Sequence, residues 1–147
     1  MVNQATYDDA NLILRLYELR REETMRKARQ WLAGVSADSP EEWQKVAAMG
    51  SQENAYFRMV TTYWDMAASF VTSGVLNEDL FLQNCGEALF VWEKIKSVVP
   101  ATRQMLKMPT YLENLETVAK AAMKRMGPEA YESFSERIRG MATAGRS

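Results

Sequence analysis

The sequence predicts an all-α fold: a helical bundle of four long helices plus one or two short ones. Three observations predict it. Glycine and proline number only 7 and 4, and they fall between segments rich in helix formers. No stretch alternates apolar and polar residues with the two-residue period of a strand. Apolar residues recur instead three and four positions apart, the spacing of one helical face. With 147 residues, 47% of them hydrophobic, the chain can bury a core of its own. Residues 1–147 read as a single helical domain, with 141–147 as a frayed tail.

The first helix is expected to start after Asp8 or Asp9, either of which suits an N-cap, and to end before Gly34, placed for the left-handed position past a C-terminus. Ala10, Ile13, Tyr17, Thr24, Ala28 and Trp31 share one face, while Leu12, Leu16 and Leu19 share another. Its first half is therefore apolar on two sides, and 18–29 is mostly charged. Ser39, Pro40 and Glu42 form the start of a short second helix: a cap, a first-turn proline and a capping-box acid. Trp43, Val46 and Ala47 are its apolar side, and Gly50 ends it.

A third helix is predicted from about Ser51 to Ser73. Only Arg58 and Asp65 are charged between Asn54 and Glu78. Arg58, Thr62, Asp65, Ser69 and Thr72 follow the helical period, so this helix reads as central and mostly buried, with one narrow polar stripe. Asn77, Glu78 and Asp79 open a fourth helix, acids at the positive end of its dipole. Phe81, Cys85, Ala88, Trp92, Ile95 and Val99 make its apolar stripe, and Pro100 ends or kinks it. Residues 100–109 form a helical turn or a bend. A fifth helix follows Pro109 and Thr110, with Leu112, Leu115, Val118, Ala119, Ala122 and Met126 facing inward. Gly127 and Pro128 separate it from a last helix carrying Tyr131, Phe134 and Ile138.

The composition excludes several kinds of chemistry. The chain has no histidine. Ser-His-Asp and Cys-His nucleophile systems, histidine-ligated zinc, histidine-held haem and the Glu-x-x-His motif of di-iron bundles are therefore impossible. We expect no enzyme, no cofactor and no metal. The single cysteine cannot close an intramolecular disulfide, which fits a reducing, cytoplasmic compartment. Cys85, on an apolar stripe, reads as an inert core thiol. The start of the chain puts Asp8 and Asp9 where a secretory signal would put basic residues, and no window approaches 18 uncharged apolar residues, so neither export nor a membrane span is expected.

The formal net charge is −1, unevenly distributed. Residues 1–14 carry −2, 15–29 carry +3, 30–102 carry −5 and 103–147 carry +3. An acidic middle between basic segments suits self-association or interhelix pairing. In 15–29 the acids are interleaved with the cations, and Glu22 with Arg26 and Glu23 with Lys27 are spaced as i,i+4 pairs. A salt-bridged, solvated face is the reading there, and nucleic-acid binding is not expected. The 10 methionines read mainly as gap-filling core and secondarily as an adaptable partner surface.

Two places remain as candidate sites. Arg58, Thr62 and Asp65, with Tyr63 beside them, could hold a small anionic or amphipathic ligand, because a buried Arg–Asp pair needs a third group to compensate it. The default reading of the same stripe is an ion-pair face bridged to another helix, the commoner cause of such groups. Leu12, Ile13, Leu16 and Tyr17 on the over-apolar first helix are candidate interface residues.

The run from Gly74 through Val75, Leu76, Asn77, Glu78, Asp79 and Leu80 to Phe81, then Trp92, Glu93, Lys94 and Ile95, Pro100 and Arg103, resembles a family of uncharacterised bacterial all-helical proteins, a domain of unknown function. Asn54, Ala55, Tyr56 and Phe57 are similar in character, so the resemblance spans about 52–106. It implies an all-α fold and supplies no activity. It marks Arg103, through the arginine soon after the proline, either as part of a ligand site or as an interhelix salt bridge. The functional expectation is a non-enzymatic module that forms a homodimer or docks on a protein partner. The alternative is a ligand-binding protein with a pocket beside Arg58 and Asp65.

Overall fold

A computed structural model of the chain describes residues 4–144. Among the described residues there are nine α-helices and no strand. They are α1 (Tyr7–Leu19), α2 (Glu23–Gly34), α3 (Pro40–Val46), α4 (Gln52–Thr72), α5 (Glu78–Asn84), α6 (Glu87–Ile95), α7 (Val99–Leu106), α8 (Glu113–Met126) and α9 (Pro128–Ala144). The all-α bundle is as the sequence predicts, but two of the expected long helices are each divided.

The first division falls between α1 and α2. Leu16 and Met25 are both buried, at 2% and 6% exposure. Their separation in sequence would turn them to opposite sides of one unbroken helix, about two and a half turns apart. Breaking the helix lets both faces meet the core. Glu22 makes the break: its carboxylate accepts from the amides of Thr24 at 3.0 Å and Met25 at 2.9 Å, capping α2. The expected Glu22–Arg26 pairing thus gives way to a cap, whereas Glu23–Lys27 forms at 3.5 Å on an exposed face. Upstream, α1 starts one turn earlier than its acids suggest. Thr6 is the N-cap and Asp9 completes a capping box with it.

The second division falls at Cys85 and Gly86, between α5 and α6. The single apolar stripe expected from Phe81 to Val99 is real as a set of buried residues, but the poor helix former Gly86 interrupts the ladder. Residues 100–109 resolve as mostly helical: Pro100 sits in the first turn of α7, where its missing N–H has no partner to lose. Gly34 closes α2 without a left-handed conformation. The glycines that do adopt one are Gly50, Gly74 and Gly127, at φ +86°, +85° and +89°, each just beyond a helix or in a turn where a side chain would be strained. Of the expected frayed tail, 141–144 continue α9, and 145–147 lie outside the described residues.

α4 is the centre of the bundle, packed against α2 and α8 most extensively and against α5 and α6. Val60, Trp64, Ala67 and Ala68 on it are fully buried. The Trp64 ring meets Tyr63 edge-on at 5.1 Å and Phe81 at 6.4 Å, and Trp43 meets Phe57 at 5.2 Å. Such pairs add to the area they bury. The small residues Ala67, Ala68, Ala88 and Ala119 are buried too, leaving room for these rings. Most methionines depart from the core reading. Met25 is buried, but Met49, Met66, Met105, Met108, Met126 and Met141 are exposed, because they fall on the outer faces of their helices and in loops.

Candidate functional site

The polar stripe of α4 lies along its seam with α8. Asp65 Oδ1 accepts from the backbone amide of Leu115 at 3.0 Å, and the Thr72 hydroxyl donates to Asn114 Oδ1 at 2.7 Å. Helix α8 needs this help. Its own N-cap residue, Leu112, adopts a left-handed φ of 56° and offers no capping side chain. A carboxylate from a neighbouring helix satisfies one of the orphan amides and lies at the positive end of the α8 dipole. Arg58, in contrast, is exposed, and its Nε donates to Asn54 Oδ1 at 3.2 Å within α4 itself. The Thr62 hydroxyl donates back to the Arg58 carbonyl. The stripe is thus divided among separate partners, and neither of the two described cavities is lined by any of its members.

Tyr63 turns the other way. Its hydroxyl donates to the Leu16 carbonyl and joins α4 to α1. Burial pushes its phenol up to about 12. Arg103 serves the hinge between α7 and α8. Its Nε donates to the Tyr111 carbonyl at 2.8 Å and its Nη2 to Glu116 Oε1 at 2.8 Å. Although burial acts in the opposite direction, Lys120 and Arg103 together hold the Glu116 carboxyl below its ordinary range. The interhelix salt bridge is therefore the arrangement found at Arg103.

Other tertiary ties are invisible in local sequence patterns. Arg29 grips Glu87 through Nε at 2.8 Å and Nη2 at 2.7 Å, and its Nη1 caps the Arg20 carbonyl at the end of α1 at 3.0 Å. One guanidinium thereby joins α1, α2 and α6, a geometry its planar fork suits. Asp9 accepts from the Asn77 amide at 2.9 Å, joining α1 to the start of α5, and these backbone bonds, that from Thr6 foremost, lower its pKa. Only the basic character of 15–29 hinted at Arg29; nothing local pointed to Glu87 as its partner.

The outer face of α1 lies away from these ties. Leu16 is in the core and unavailable to a second molecule, and Leu12 and Ile13 are half-buried against the core. What α1 presents outward is Tyr7, Leu14, Tyr17 and Leu19, at 80%, 59%, 46% and 44% exposure. Of the interface candidates expected from sequence, Leu16 is therefore in the core, Leu12 and Ile13 are half-buried, and Tyr17 is exposed. Beside this face a cavity of about 270 Å³ is lined by Ile13, Leu14, Tyr17, Arg20, Asn84 and Cys85. The Arg20 guanidinium lies 5.0 Å from the Tyr17 ring centre and 5.4 Å from that of Trp64, and Arg21 lies 5.4 Å from Tyr17. Cys85 is buried at 5% exposure, and burial raises its thiol to about 11. It is a neutral thiol near pH 7, as its place on an apolar stripe predicts.

Among the described residues no group of acids and cysteine could hold a metal ion, and no helix is long and apolar enough to cross a membrane. The chain belongs to the family described as domain of unknown function (DUF4760), whose model matches residues 5–122. That match takes in α1 to α7 and most of α8, well beyond the 52–106 stretch that carries the resemblance, and leaves α9 outside. No curated protein and no solved structure matches the chain.

Proposed function

We propose that this member of the family is a non-enzymatic helical module that self-associates, pairing α1 with α1 of a second copy in antiparallel fashion. The observation that carries this reading is the exposed apolar row of Tyr7, Leu14 and Tyr17. With Ala10 between them they follow the alternating three- and four-residue spacing of a coiled-coil seam. Contiguous apolar surface of this kind marks an interaction site on a soluble domain.

Charge favours a second copy as the occupant. Asp8 stands exposed at the start of α1, and Arg15 and Arg21 stand exposed toward and beyond its end. A two-fold axis through the middle of α1 brings Asp8 of each copy toward the partner's α1 end, where Glu18 stands among Arg15, Arg20 and Arg21. The groove beside Tyr17 offers a receptor for an apolar side chain of the other copy. A helix of 13 residues is about 20 Å long, so the interface is small and the expected affinity micromolar.

Native mass spectrometry and sedimentation across micromolar concentrations test this. The expected result is a concentration-dependent dimer that Leu14→Glu converts to monomer, with the Tm unchanged at dilutions where the wild type is also monomeric. A wild-type chain that stays monomeric throughout overturns it. The lone buried thiol suits a reducing compartment, and with the resemblance to bacterial proteins it supports a bacterial cytoplasmic location. Nucleic acid is not among the partners proposed, because the cations of 15–29 are interleaved with acids, with Lys27 paired to Glu23 and Arg29 to Glu87. Met105, Leu106 and Met108, at 62%, 49% and 48% exposure, support a second reading: a surface at the end of α7 able to repack against a different protein.

A further inference from the structure

Among the residues that line the groove beside α1, Arg20 alone is charged. It is half-buried and directly follows the last turn of α1. Its guanidinium lies 5.0 Å from the Tyr17 ring centre and 5.4 Å from that of Trp64. Two aromatic rings thus hold a side chain that is otherwise flexible. Its charge also reaches the Cys85 thiol, where it opposes the upward shift caused by burial. The guanidinium therefore stands close to both walls of the groove, Tyr17 on α1 and Cys85 after α5.

Arg29 and Arg103 show how this fold treats its other half-buried guanidinium groups. Each donates to a carboxylate and to a backbone carbonyl. Arg20 does neither. Among the described residues no carboxylate, hydroxyl or carbonyl accepts from its N–H groups, and its contacts are with rings. Glu87, the acid whose charge also reaches Cys85, is already held by Arg29. Asn84, on the same lining, has a further donor to offer. One N–H of its amide goes to the Leu80 carbonyl at 2.9 Å, which leaves the second.

We propose that this groove binds a small amphipathic monocarboxylate, with its carboxylate forked on the Arg20 guanidinium and its hydrocarbon body against Ile13, Leu14 and Cys85. A guanidinium matches a carboxylate through two parallel N–H bonds. One cation in the lining balances one negative charge, which favours a carboxylate over a dianionic phosphate. The cavity, about 270 Å³, lies just below the roughly 300–1,000 Å³ of pockets for larger organic ligands, so the body is a short chain or a single ring. The inference stands apart from self-association, although ligand and second copy compete for the same groove.

The competing account is purely structural: Arg20 opposes the negative end of α1 and stacks on two rings. It leaves the N–H groups to water and gives the cavity no occupant. The test is an NMR titration of the full chain with octanoate, at a dilution where sedimentation shows monomer, so that a failure of binding and a failure of pairing are read separately. The expected result is saturable shifts confined to the amides of 13–21 and 84–86. Octanol, with the same body and no charge, is expected to bind about tenfold more weakly. Arg20→Gln is expected to weaken octanoate about tenfold and leave octanol unchanged. If that variant does not fold, the comparison of octanoate with octanol on the wild type decides alone. Shifts that do not saturate, shifts that spread over the other basic surfaces, equal affinity for octanoate and octanol, or octanoate binding that Arg20→Gln leaves unchanged overturn the proposal.

Discussion

Helices α1 and α4 depart from simple amphipathicity in opposite directions. α4 is buried along much of its length yet carries a row of polar side chains. α1 is half in solvent yet carries a row of apolar ones. Within the fold the polar row finds partners: Asn54 for Arg58, the Leu115 amide for Asp65, Asn114 for Thr72. The apolar row of Tyr7, Leu14 and Tyr17 stays in solvent. The contrast shows which departure points outward. A polar group on a packed helix can be satisfied by a neighbouring helix, since every helix start offers unpaired amides. An apolar group in water is relieved only by another surface.

Substitutions that disturb one helix and spare the other break this comparison or sharpen it. The largest effect is expected at Trp64, fully buried at the centre of α4. Trp64→Ala should cost about 3–5 kcal/mol, read from the urea midpoint, and lower the Tm. A much smaller loss would mean that α4 is not the centre on which the other helices rest. Tyr63 comes next, because it joins the two helices. Tyr63→Phe removes its bond to the Leu16 carbonyl and should cost about 1 kcal/mol.

The pH dependence of the same residue gives a second measurement. The native fold raises the Tyr63 phenol from 10.0 to about 12 through burial, so the neutral form is the one the fold prefers. Its contribution is fully present below pH 10 and is lost as pH rises toward 12. Denaturant midpoints collected from pH 9 to pH 12 should fall more steeply for the wild type than for Tyr63→Phe. Parallel curves would remove Tyr63 as the cause.

Asp65→Ala should cost about 1 kcal/mol, the worth of a helix cap, with an unchanged m value. A stable variant would return the stripe to consideration as a binding site. Arg58→Ala, at an exposed position, should stay within about 0.5 kcal/mol of wild type. The smallest effect is expected at Cys85. Alkylation by iodoacetamide at pH 8 should be slow in the native protein and fast in urea, because burial keeps its pKa near 11. Rapid native labelling would mean that the groove beside α1 opens.

Much of the fold is legible in local chemistry. Ser39, Ser51 and Asn77 cap α3, α4 and α5, with their side chains accepting from amides three residues on, and Gly74 and Gly127 end helices with positive φ. The extent of α4 follows from its caps and its apolar run. The divisions at Glu22 and Gly86 are less legible. A glutamate inside a charged segment looks like a helix-pairing residue until the core demands that Leu16 and Met25 face the same way. The candidate sites are less legible still. Asp65 is conspicuous in sequence because it is a lone acid on an apolar helix, but its partner is a main-chain amide on α8, which no side-chain pattern reveals.

The sequence by itself determined the helical class, the caps at Ser39, Ser51 and Asn77, the centrality of α4, and the exclusion of histidine chemistry. These depend on spacing and residue type along the chain, and the governing interactions span three or four residues. Only the tertiary structure decided where long helices break, which polar groups are engaged, and which apolar ones remain in solvent. Those outcomes depend on burial, and whether a face is buried is settled by what folds against it: α8 arrives at Asp65, while among the described residues Leu14 is left 59% exposed.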